Sequence, residues 1–75
     1  MVGHFKALLP FEAIEPISGN PRTVVAGETF SVDLDRQDGI NITIVIGSNY
    51  LVVKERTFYA CCQRVALRDG SFFDV

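Results

Sequence analysis

Tryptophan is absent from these 75 residues, and methionine and histidine occur once each. Cysteine occurs twice, as the adjacent pair Cys61-Cys62. One histidine and two neighbouring thiols do not make the spaced ligand set of a zinc site or the CxxC pair of a redox centre. Neighbouring cysteines rarely bridge, because the small ring strains the peptide between them, so no disulfide is expected to brace the fold. Excess positive charge is missing too. The formal net charge is −2, which gives no basis for wrapping a phosphate backbone. No stretch approaches the roughly 20 apolar residues that span a bilayer. Residues 1–10 hold a short apolar patch broken by Lys6, which is not the pattern of a secretory signal. A soluble chain in the cytoplasm of its producing cell is expected, with no metal, no cofactor and no membrane partner.

Apolar side chains are what the sequence has in abundance. The composition is 48% hydrophobic with a mean hydropathy of +0.24. A chain this short is a single domain, residues 1–75, and buries only about 60% of the surface its unfolded form exposes. Small domains are commonly braced by disulfides, a metal or a partner. With the first two unsupported, the apolar surplus points to burial against other protein chains, in a homo-oligomer or larger assembly. Charge is also uneven. Residues 1–39 carry three basic and six acidic side chains, and residues 40–75 carry four basic and three acidic. That imbalance favours head-to-tail contact between copies but is too small to predict one.

The strongest local signal is INITIVIGSNYLVV, residues 40–53. Ile40, Ile42, Ile44 and Ile46 fall at every second position, which puts all four on one face of an extended chain. Gly47-Ser48-Asn49 reads as a three-residue hairpin loop before a second strand at 50–53. Upstream, Phe30, Val32 and Leu34 alternate with Ser31 and Asp33, so residues 29–34 and 40–46 form a hairpin and, with 50–53, a three-strand meander. Ala26-Gly27-Glu28 is a turn between Thr23–Val25 and this strand. Near the start, Phe5 and Ala7 alternate in a first strand that ends near Pro10, with a second short piece at 12–17. Residues 54–67 read as a helix near 57–64 with Thr57 as N-cap, or as strand, since Phe58, Tyr59 and Val65 favour extended structure. Val65–Arg68, Asp69-Gly70 and Ser71–Asp74 spell a hairpin, so any helix ends before about Arg64. The fold class is all-β, or α+β if that helix forms: a small antiparallel meander closed into a barrel or sandwich.

No motif names a reaction. Asp33, Asp35, Asp38 and Gly39 hint at a calcium loop, but the third acid is one residue late and position twelve is Ile44 instead of glutamate. Asp33 then reads as the solvent side of a strand, and Asp35 and Asp38 as loop residues. Cys61 and Cys62 would point to opposite faces of a strand, one into the core and one towards a partner. Catalysis by a cysteine needs a base, and His4 is the only histidine. Asn41-Ile42-Thr43 is a chance glycosylation sequon inside a strand. No catalytic residue is read.

Two sets of surface residues remain. Phe72 and Phe73, with Val75 beyond them, would fray unless docked, and as neighbours in a strand they face opposite ways. Together with Phe5 they are the expected protein interface. Lys54, Arg56, Arg64, Tyr59 and Tyr50 form the alternative, a base-stacking, phosphate-tracking face on a small barrel. The acidic balance makes nucleic acid the lesser expectation.

FKALLPF at residues 5–11 followed by VVAGETFSVD at residues 24–33 resembles small proteins from bacteriophage structural gene clusters. Those open with a short x-K-A-L-x-x-F strand, a glycine turn and a G-E-x-x-x-V strand. The likeness stops near residue 33: many such chains continue into a helix, whereas INITIVI is β-branched and reads as strand. The resemblance implies a virion or assembly component, hence a virion location, and assigns no functional residue.

Overall fold

The isoleucine alternation becomes strand β5 (Asn41–Ile46). Before it come β1 (Val2–Ala7), β2 (Phe11–Ile14), β3 (Pro21–Val24), β4 (Thr29–Asp33) and a 3-10 turn at Leu34–Arg36. After it come β6 (Asn49–Lys54), helix α1 (Glu55–Cys61), β7 (Cys62–Arg68) and β8 (Ser71–Asp74). In this computed structural model the backbone is described for residues 2–36, 38–68 and 71–74, and side chains for 2–35 and 38–66. The strands make one sheet in the order β3-β2-β6-β5-β4-β1-β7-β8, antiparallel throughout. The β4-β5-β6 meander and the β7–β8 hairpin are as the sequence predicts.

The sheet curls around its core without closing. β2 and β4 stand three strand spacings apart, about 14 Å on a flat sheet. Yet the rings of Phe11 on β2 and Phe30 on β4 have centroids 6.3 Å apart, edge to face. Only strong curvature brings them together. Phe58 of α1 fills the hollow, fully buried, with its centroid 4.8 Å from Phe5 and 6.2 Å from Phe30. Ala7, Ala13, Val24, Val32, Ile42, Ile44, Leu51 and Val53 complete the core. At β7 burial passes to the other side of the sheet. Arg64 lies opposite Phe5 but is exposed, while Val65 lies opposite His4 and is buried. The expected barrel or sandwich is an open sheet with edges at β3 and β8.

Four local readings need correction. Phe5, expected at an interface, is 6% exposed and belongs to the core. Ile40, expected inside with its three companions, is 69% exposed. The reason lies in the loop before β5: the Asp38 carboxylate accepts the N–H groups of Ile40 and Asn41 at 2.7 and 2.6 Å, so the strand begins at Asn41. The β5–β6 turn holds two residues, not three, since Ile46 pairs with Asn49, and Gly47 takes φ 61° in it. Finally, the helix starts two residues before Thr57. The Glu55 N–H donates to the Ile40 carbonyl at 2.9 Å, and the Glu55 carboxylate suits the positive end of the helix. A seven-residue helix is marginal alone, so burial of Phe58 is what holds it.

Candidate protein-docking surface

The face of the sheet turned away from Phe58 has a register that can be followed across four strands. Tyr50 pairs with Val45, Val45 with Ser31, and Ser31 with His4. Val2, Ser31, Asp33, Thr43, Val45 and Tyr50 line a shallow groove there, with Val2 and Tyr50 well exposed at its ends. The Ser31 Oγ and His4 Nδ1 are 3.4 Å apart, a polar centre between apolar ends. Asp33 shares the face, and its Oδ1 accepts the Asp35 N–H at 3.0 Å.

A second groove opens at the far end of β6. It is lined by Gly39, Ile40, Lys54, Glu55, Arg56 and Tyr59, with a volume of about 500 Å3. Ile40 and Tyr59 are its exposed apolar walls. The Asp38 bonds that push Ile40 outward also build this wall. Those bonds, Asn41's first and Ile40's second, hold the Asp38 carboxyl below the usual carboxylate range. Lys54 and Arg56 bring positive charge to the rim, and the half-buried Glu55 brings one negative charge.

The third feature is the tip of the β2–β3 hairpin. Glu15 and Asn20 are joined by the Glu15 N–H donating to the Asn20 carbonyl at 2.9 Å, and the Gly19 N–H donates to the Glu15 carbonyl at 2.7 Å. Gly19 holds φ 76°, a left-handed conformation that costs glycine little. This braced turn lifts Ile17 completely into water. Glu12, Ile14 and Glu15 are exposed beside it.

The structure therefore divides the residues singled out in the sequence. Lys54, Arg56 and Tyr59 share one groove. Tyr50 sits at the opposite end of β6, and Arg64 is on β7, outside all three features. Phe72 and Phe73 lie on β8, but their side chains are outside the described residues, as is Val75 altogether. Sequence reasoning missed Ile17 and Ile40. The signal for Ile17 was present, an isoleucine set among Pro16, Ser18, Gly19 and Asn20 where turn residues are the rule.

The cysteines do not split between core and surface. Cys61 ends α1, Cys62 begins β7, and both are half-buried against the core. The Cys61 carbonyl accepts the Leu8 N–H at 2.7 Å and the Leu9 N–H at 3.3 Å, tying the end of α1 to the exit of β1. Cys62 lies opposite Ala7 and His4 opposite Val65, three residues along the ladder or about 10 Å. The only histidine is not beside the thiol. Burial, and secondly the neighbouring Cys61, push the Cys62 thiol up to about 12 from 9.0. At pH 8 its thiolate fraction is then about a thousandfold lower than that of an ordinary thiol. Iodoacetamide at pH 8 should leave Cys62 largely unlabelled in the native protein and label it fully in denaturant, read by peptide mass spectrometry. The sign for stability follows. Below pH 9 both states keep the proton; between 9 and 12 only the unfolded chain loses it, so stability falls as pH rises through that window. Cys62→Ser should flatten this fall. Equal labelling rates in native and denatured protein would contradict both expectations.

Among the described residues no group of three or more histidine, cysteine or acidic side chains is placed to hold a metal ion, and no helix is long and apolar enough to cross a membrane. No family model, curated protein or solved structure matches this chain.

Proposed function

We propose that the protein is a non-enzymatic interaction module that binds other protein chains and works in multiple copies within an assembly. One observation carries this reading: two grooves walled by large apolar side chains stand open to water, Val2 and Tyr50 in one and Ile40 and Tyr59 in the other. Scattered exposed apolar residues are ordinary, but apolar residues gathered round a concave surface mark contact sites. The two unpaired sheet edges, β3 and β8, offer backbone groups for a neighbour's strand as a second mode of contact. The likeness of residues 5–11 and 24–33 to phage structural proteins makes a phage particle the assembly we favour, and the virion its location.

Light scattering across a concentration series tests this. A mass that exceeds 8.3 kDa and rises with concentration supports self-assembly. A mass fixed at the single-chain value at every concentration counts against it.

A second reading, single-stranded nucleic-acid binding, is favoured by Lys54, Arg56 and Tyr59 surrounding one groove. An aromatic platform flanked by cations is how sequence-tolerant strands are held. It requires oligonucleotide binding that weakens steeply with salt, whereas the protein-docking reading gives no binding at moderate salt. Fluorescence anisotropy at two salt concentrations separates them.

A further inference from the structure

We infer that the β2–β3 hairpin tip of one copy docks in the Ile40/Tyr59 groove of the next, so that copies join head to tail. This inference rests on the multi-copy reading above and names its contact.

The first support is chemical complementarity. The tip presents a fully exposed isoleucine, Ile17, with Glu12 and Glu15 exposed on the same hairpin. The groove presents apolar walls, Ile40 and Tyr59, with Lys54 and Arg56 on its rim. The one cation on the hairpin, Arg22, is paired with Glu28 at 3.8 Å, so the tip keeps its acidic character. An apolar knob flanked by acids meets an apolar hollow flanked by bases. Charges of opposite sign across such a contact fix register and partner.

The second support is position. The tip residues Pro16 and Ile17 border the same open cleft as Ser48, Asn49 and Tyr50, beside the start of β6. The groove contains Lys54, at the end of β6. Five residues of strand separate these points by about 17 Å, so no chain can fill its own groove with its own tip. Donor and acceptor surfaces at opposite ends of one strand give a heterologous contact, which generates a ring if the rotation closes and an open filament otherwise. The acidic surplus of residues 1–39 and the basic surplus of 40–75 have the sign this stacking needs.

The test uses two complementary variants of the full chain. Glu12→Lys/Glu15→Lys disables the tip, and Lys54→Glu/Arg56→Glu disables the groove. All four positions are exposed, so circular dichroism should match the parent. Alone, each variant should sediment as an 8.3 kDa monomer at concentrations where the parent self-associates. Mixed at equal concentration, they should regain association, because the intact groove of the first meets the intact tip of the second and the two reversed surfaces are again opposite in charge. Should a charge reversal unfold its carrier, Ile17→Ser and Ile40→Ser replace the two variants with the same expectations. Association of each variant alone as strongly as the parent, or a mixture that stays monomeric, would overturn the tip-to-groove contact while leaving self-assembly standing. A parent that is monomeric at every concentration would remove self-assembly and this contact together.

Discussion

Phe58→Ala is expected to cost about 3–5 kcal/mol, the largest loss available from one side chain here. Phe58 is fully buried and sits edge to face against three rings, with centroids 4.8 Å from Phe5, 6.2 Å from Phe30 and 5.2 Å from Tyr59. Such pairs add about 0.5–1.5 kcal/mol beyond the area they bury. A domain of this size has roughly 4–11 kcal/mol of stability in all, so alanine would leave a partly or wholly unfolded chain. The loss is also local. Without Phe58 the seven-residue helix has no reason to form, and the Cys61 carbonyl no longer tethers Leu8 and Leu9. Phe58→Leu should lose less, because most of the volume remains. Urea denaturation followed by circular dichroism measures both, and an alanine variant within about 0.5 kcal/mol of the parent would contradict this account of the core.

The second large effect is a contrast within one strand. Ile44→Ala should cost about 2–5 kcal/mol, because the side chain is fully buried and a cavity would remain. Ile40→Ser, four residues earlier on the same alternation, should change stability by no more than about 0.5 kcal/mol. The two isoleucines are indistinguishable by period, and only one faces the core. Parallel denaturation curves decide the matter. Equal losses would mean that Ile40 is not the solvent wall described above.

That contrast marks where sequence reasoning ran out. Period-two alternation located β4, β5 and β6 and their order, because each strand has one wet and one dry face and the pattern is printed in adjacent residues. The pairing of β7 with β8 was legible from the Asp-Gly dipeptide set between two apolar runs. Ile40 was misjudged because its fate is decided by Asp38, whose carboxylate ties up two N–H groups and delays the strand. Phe5 was misjudged because its partner, Phe58, is 53 residues away and on a different kind of element. Glu55–Cys61 was ambiguous because a short helix with Thr57, Phe58 and Tyr59 in succession is chosen by the hollow it fills, not by propensity. The grooves were the least legible. Of the five residues read together as a nucleic-acid face, Lys54, Arg56 and Tyr59 line one groove while Tyr50 and Arg64 lie elsewhere, and Ile40 joins the groove only through the turn from β6 into α1.

The place of β1 in the sheet bears on how the chain is made. β1 lies between β4 and β7, so its second neighbour is complete only when Arg68 has been synthesised, some 61 residues after Ala7. Ribosomes add roughly 5–20 residues per second, which leaves one side of β1 without its ladder for about 3–12 s. Phe58, the side chain that fills the space between Phe5 and Phe30, also arrives late in that interval. The nascent chain thus holds an open strand edge and a hollow core until Phe58 and then β7 have been made. A charged residue in that strand, Lys6, is a guard against mispairing during the wait.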